Sequence, residues 1–216
     1  LTDRRLFPGV NAHSATAVEI KRSNETLRLV KGTDGWKLDQ AQAYPADESK
    51  IDAFLTSLAQ LQYQSAIPPS ESSSQGDEDP YGVKSPSGHL QIEADKTIHK
   101  LVFGSTSPGN ITFVKQGDSD LVYTLSSEAL KSINTDSDHW RDPRVFPHAT
   151  SDITKIQIVG PGNEILLTRP ENTSTWVMNQ PHQGARLDES TVKWFLQALA
   201  ELRIAAFTSK NEFATQ

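Results

Sequence analysis

The sequence predicts an α+β fold: a duplicated unit of antiparallel strands followed by one amphipathic helix packed on one sheet face. Three observations carry this reading. Residues 47–61 and 188–202 are identical at eight of fifteen positions at a constant offset of 141, where chance gives about one. Ahead of each copy of that stretch, segments alternate apolar and polar residues, and the period then changes from two to that of a helix. Runs of strands closed by single helices indicate an antiparallel sheet with segregated helices rather than a wound parallel one.

Taken in order, Arg5-Leu6-Phe7-Pro8 opens the first copy and Arg144-Val145-Phe146-Pro147 the second. Residues 16–21 and 26–31 read as half-buried strands, with Ser23-Asn24 as the turn between them. Gly32-Thr33-Asp34-Gly35 supplies the next turn, and Trp36-Lys37-Leu38 begins a third strand. Asp47 is placed to cap a helix, because its carboxylate can accept from the unpaired amides of the first turn. Ile51, Phe54, Leu55, Leu58 and Leu61 then form one apolar stripe. The second copy repeats this with Ile156, Ile158, Ile165, Leu167 and Trp176, then Asp188, Val192, Phe195, Leu196, Leu199 and Leu202.

Between the copies, residues 68–80 are polar, acidic and rich in turn formers, which predicts a mobile loop. Four more strands are expected near 89–94, 98–103, 111–115 and 121–125, with a short helix over 127–133. The predicted organisation is a first unit, 1–142, with a strand-rich second half, and a second unit, 143–216. The second copy stops soon after its helix. Either that unit is incomplete at its C-terminal side or the protein is asymmetric by nature.

Composition restricts the function. Apolar residues at 36% suffice for a core. A net charge of −6, with no basic run, argues against nucleic acid, whose phosphates require clustered Lys and Arg. The same balance disfavours adhesion to an anionic membrane surface. There is no cysteine, so disulfides, thiolate nucleophiles and cysteine-based metal sites are excluded. No apolar run reaches the roughly 18 residues of a membrane span. The chain starts at Leu1 rather than Met, which reads as a trimmed or processed product whose signal or anchor segment has been removed.

No motif carries catalysis. Gly160-Pro161-Gly162 has two glycines of a dinucleotide fingerprint, but a strand follows it and no helix N-terminus is available for phosphate, so a hairpin turn is expected. The six histidines never fall at zinc-site spacings. The acidic clusters 77–79, Asp118/Asp120 and Asp136/Asp138 lack the ligand ladder and closing Glu of a calcium loop. No cofactor and no metal is therefore expected. The segment Trp140-Arg141-Asp142-Pro143-Arg144 stands out, since an aromatic with two guanidinium groups beside a carboxylate is the composition of an interface anchor. Against that stands a structural reading, in which Trp140 packs in the core and Arg141 with Asp142 fastens the junction. Trp140, Arg141, Asp142 and Arg144 are the candidate interface or junction residues.

The repeat and its motifs resemble the domain of unknown function 4340 family. The resemblance is carried by residues 4–8, the 25–36 hairpin, Pro45-Ala46-Asp47-Glu48-Ser49, Asp79-Pro80-Tyr81-Gly82-Val83, Leu101-Val102-Phe103-Gly104, Val122-Tyr123-Thr124-Leu125 and residues 140–147. It implies an extracytoplasmic domain behind an N-terminal membrane anchor absent from this chain, acting as accessory subunit of a bacterial ABC-type envelope transport system of the gliding-motility kind. The function expected is thus non-catalytic binding or scaffolding of a protein partner in a membrane transport complex, in the periplasm or outside the cell. The alternatives are a carboxylate-dependent envelope enzyme acting on a glycan, which needs only two well-spaced acids, and a purely structural spacer.

Overall fold

The structure, a computed structural model, describes residues 3–23, 25–40, 43–68, 79–171 and 173–207. Asn24 of the expected turn and residues 69–78 of the expected acidic loop lie outside the described residues. The chain divides into two compact units, Leu1–Asp142 and Pro143–Gln216.

The first unit opens with β1 (Ala15–Arg22), β2 (Thr26–Gly32), β3 (Gly35–Leu38), β4 (Tyr44–Pro45) and helix α1 (Glu48–Ala59). It continues with β5 (Ser65–Ile67), β6 (Gly88–Ala94), β7 (Thr97–Thr106), β8 (Ile111–Gln116) and β9 (Val122–Ser126). A run of tight 3-10 turns, Ser127–Asn134, and the single-turn helix α2 (Ser137–Trp140) close it. Among the described residues these strands form one antiparallel sheet in the order β4-β3-β2-β1-β6-β7-β8-β9-β5. The second unit has β10 (Lys155–Gly160), β11 (Asn163–Thr168), β12 (Val177–Gln180), β13 (Ala185–Arg186) and helix α3 (Glu189–Glu201), its strands pairing in chain order. The fold is α+β, as the period change indicated.

Alternation sets the layers. Val18 and Ile20 of β1, Leu27 and Leu29 of β2, and Leu90 and Ile92 of β6 point to one face and are buried there with Ile51, Leu55 and Leu58 of α1. The opposite face is polar: Arg28 lies 3.7–3.8 Å from Glu19, Asp39 and Glu93, and Glu19 meets His89 at 3.3 Å. One face is thus bought out of water by the helix while the other stays wet, the usual condition of an antiparallel sheet.

The helices start where the sequence places them. Asp47 accepts from the Lys50 amide at 3.3 Å, and Asp188 accepts from the Thr191 amide at 2.9 Å. Gly160 pairs with Asn163, so Pro161-Gly162 is a two-residue hairpin loop, with Gly162 at φ 79° where a side chain would be strained.

The motif Asp79-Pro80-Tyr81-Gly82-Val83 is a turn docked on β7. The Asp79 carboxylate accepts from the amides of Val83, Lys84 and Ser85 at 2.8–2.9 Å, and the Ser105 amide donates to the Tyr81 carbonyl at 2.7 Å. Such close approach of backbones requires Gly104: a Cβ there would sit 2.1 Å from the Tyr81 oxygen.

Candidate functional site

Superposed in sequence, the two units repeat more than strands and a helix. In the first, the Leu6 amide donates to the Leu61 carbonyl at 2.9 Å and the Tyr63 amide to the Arg4 carbonyl at 3.1 Å. In the second, Val145 donates to Leu202 at 3.2 Å and Ile204 to Pro143 at 2.7 Å. The segment before the first strand and the segment after the helix are thereby clasped together in both copies.

A second shared device surrounds the tryptophans. Lys31 and Arg169 occupy equivalent positions two residues beyond Leu29 and Leu167. The Lys31 ammonium stands 5.9 Å from the Trp36 ring centre and donates to the Ala12 carbonyl at 3.0 Å. The Arg169 guanidinium stands 5.6 Å from the Trp176 ring centre and donates to the Ser151 carbonyl. Each cation sits against a π face while its remaining donors hold the loop ahead of the first strand.

Beside each tryptophan lies a hollow. In the first unit it is about 130 Å³ and carries Lys31, Glu48 and Asp52. In the second it opens to about 510 Å³, lined by Ser151, Arg169, Trp176, Glu189, Lys193 and Leu196. Lys193 replaces Asp52 at the equivalent helix position, which reverses the local charge balance from acidic to basic. A further cavity of about 370 Å³ in the first unit is bordered by Arg22, Thr112, Ser127 and Leu130. There Thr106, Thr112 and Ser127 form a hydroxyl chain with 3.0 Å links, and Arg22 donates to the carbonyls of Ile133, at 2.8 Å, and Thr135. These groups tie the 3-10 segment to the sheet.

The two units differ in what covers them. Leu6 and Phe7 are 1% and 0% exposed, whereas their counterparts Val145 and Phe146 are 45% and 42% exposed. Ile20 is 1% exposed and Ile158 41%; Leu61 is 8% exposed and Leu202 47%. The four first-unit residues belong to a single buried cluster with Leu90, Ile92, Leu101, Val114 and Leu125 of β6 to β9. The buried cluster of the second unit consists of Ile156, Leu167, Trp176, Val192 and Leu196.

Three of the four sequence-derived candidates, Trp140, Arg141 and Asp142, lie at the close of the first unit. Trp140 is buried in its core. Its carbonyl accepts from the Asp47 amide at 2.9 Å, the Asp142 amide donates to Pro45 at 2.9 Å, and Arg141 bridges Ala46, so residues 140–142 line the start of α1. Arg141 lies 4.5 Å from the Tyr44 ring centre and 2.9 Å from Asp138. Asp142 is buried, and Arg144, exposed, bridges Arg203 in the clasp of the second unit. Burial beside Trp140, together with the Lys50 charge, lowers the His139 pKa from its ordinary 6.5.

The acidic clusters serve as local braces where they are described. Asp136 caps α2 through the His139 amide at 2.9 Å, Asp138 holds Arg141, and Asp79 holds its turn. Among the described residues no group of three or more His, Asp or Glu side chains converges as metal ligands, and no helix is long and apolar enough to cross a membrane.

A family model described as a domain of unknown function (DUF4340) matches residues 36–215, most of the chain. The chain belongs to this family. No curated protein and no solved structure matches it. The match takes in Trp36 and helix α1 of the first copy and nearly the whole of the second, while β1 and β2 of the first copy precede it.

The cation–tryptophan pairs were within reach of the sequence: aligning the copies puts Lys31 on Arg169 and Trp36 on Trp176. The exposed surface of the second unit was not, because exposure depends on which strand lies beside β10.

Proposed function

We propose that this chain is a non-catalytic binding or scaffolding domain, the extracytoplasmic part of an accessory subunit in a bacterial ABC-type envelope transport system. The observation that carries the binding reading is the apolar surface of the second unit. Val145, Phe146, Ile158 and Leu202 are each more than 40% exposed, although the first unit buries every counterpart. Val159 and Trp194 are 73% and 71% exposed where the first unit has Lys21 and Ala53. A large apolar side chain replacing a polar or small one at a solvent position is a mark of a protein contact surface. The transport setting and the location outside the cytoplasm rest on the resemblance carried by the motifs of residues 4–8, 79–83 and 140–147.

Crosslinking in cells of the native host, followed by mass spectrometry, tests this reading. Lys155 and Lys193 of the second unit are exposed and serve as attachment points. The expected result is crosslinks from them to a permease or ATPase subunit of an export system. Folded, abundant protein with no crosslink to any such subunit overturns it.

A further inference from the structure

We infer that the cavity of about 370 Å³ at one end of the first unit's sheet binds a small hydroxylated carboxylate, with the size and chemistry of a single sugar acid. This site belongs wholly to the first unit and is independent of the apolar surface of the second. It begins in the buried rows of the sheet. On β1 the row Val18, Ile20 ends in Arg22; on β6 the row Ile92, Leu90 ends in Gly88; on β8 Val114 gives way to Thr112. Arg22 pairs with Gly88, Gly88 with Phe103, and Thr106 with Thr112, so these ends adjoin. The aliphatic core thus stops at the same end of neighbouring strands, and Gly88 puts no side chain into the space between Arg22 and Phe103. Leu130 and Ile133 of the 3-10 segment wall the space that remains.

The lining sets the charge of the occupant. Arg22 is its one cation, and no carboxylate borders the cavity among the described residues, in a chain that carries −6 overall. Arg22 forms no ion pair among the described residues. Its Nη2 donates to the carbonyls of Ile133 and Thr135, and its buried Nε makes no hydrogen bond. A half-buried guanidinium without a counter-ion favours an anion, and a single such cation matches one negative charge, for which a planar carboxylate has the fitting shape.

The rest of the lining favours hydroxyls. The chain Thr106, Thr112, Ser127 has two links and three protons, so one proton stays free, at Ser127 or at Thr106 according to the direction in which the chain runs. Hydroxyls that can donate or accept in this way suit a sugar hydroxyl, which does both. Asn110 and Asn134 add exposed carboxamides, and Phe103 offers an apolar ring to the C–H face of a sugar. The volume lies at the small end of ligand pockets, which fits one ring rather than a chain of them.

Three probes separate these features: D-glucuronate has them all, D-glucose lacks the carboxylate, and cyclohexanecarboxylate lacks the hydroxyls. Each is titrated into the 216-residue chain and followed by amide NMR shifts. Glucuronate is expected to move the Gly88, Thr112 and Ser127 amides saturably at millimolar concentration, with each of the other two binding weaker by about tenfold or more. Arg22→Met should abolish glucuronate binding. Because Arg22 also holds the 3-10 segment, Asn134→Asp keeps the test decisive: at an exposed position it adds a negative charge to the lining, and it should weaken glucuronate by about tenfold while the remaining amide spectrum is unchanged. The inference is overturned by the absence of saturable shifts at these amides, by equal binding of glucose or of cyclohexanecarboxylate, or by unaltered glucuronate binding in the Asn134→Asp protein.

Discussion

Trp140 meets Phe54 edge to face, with ring centroids 5.1 Å apart and planes at 74°. The contact joins the last turn of the first unit to the middle of α1, two segments that are remote in sequence and fastened by the Asp47–Trp140 backbone bond. Trp140 is one of the largest fully buried side chains, and its indole N–H has no partner among the described residues. The residue therefore contributes through volume and ring geometry rather than through a hydrogen bond. Trp140→Ala should cost about 3–5 kcal/mol, and Trp140→Phe only about 1–2 kcal/mol because no acceptor loses a partner. Denaturant melts of both variants check this, and equal costs would contradict it.

Gly104 tests the docked turn. An alanine there must move the Tyr81 carbonyl, which a Cβ would meet at 2.1 Å. Backbone cannot yield as a flexible side chain does. Gly104→Ala should destabilise the first unit by roughly 2–3 kcal/mol, within the range of overpacked interiors. Loss of amide protection at Ser105, whose N–H binds Tyr81, should accompany it.

How far the sequence reached follows from locality. Helices α1 and α3, their Asp47 and Asp188 caps and the long strands were legible, because period and capping act within a few residues. Strands β4, β5 and β13 were not, since two or three residues carry no period. Strand β5 exists only because Ser65, Ala66 and Ile67 find Thr124, Tyr123 and Val122 nearly sixty residues away. The candidate segment 140–144 was found by composition, yet composition could not tell a buried Trp140 from an exposed one. The exposed apolar surface was hidden for the same reason: Leu6 and Val145 look alike in the chain and differ only in what lies beside them.

That difference makes a direct comparison. Leu6 is buried beneath its own sheet, whereas Val145, its repeat counterpart, is 45% exposed. Leu6→Ala should cost about 2–5 kcal/mol, and Val145→Ala no more than about 0.5 kcal/mol, as for surface positions. Chemical denaturation of the two variants measures both. A large cost at Val145 in the isolated chain would mean that the second unit is covered, and would count against an open docking surface.

Helix α3 of the second unit offers the pH test. Asp188 accepts from the Ser190 hydroxyl at 2.6 Å, the Thr191 hydroxyl at 2.6 Å and the Thr191 amide at 2.9 Å. These bonds favour the ionised carboxylate and lower its pKa from the ordinary 3.8 to about 2. Because the folded value lies below the unfolded one, the cap's contribution is present above pH 3.8 and is lost as the pH falls toward 2. The group is fully exposed, so the effect is local to the first turn of α3 rather than a global acid transition. A carboxyl carbon titration by NMR should place the midpoint near 2, with the Thr191 amide resonance moving in step. Asp188→Asn should keep the helix start, since its amide oxygen still accepts, and remove the pH dependence. Asp188→Ala should fray the first turn at every pH. A midpoint at the ordinary carboxylate value would show that Asp188 does not hold the Ser190 and Thr191 donors, and the helix start would then need another cap.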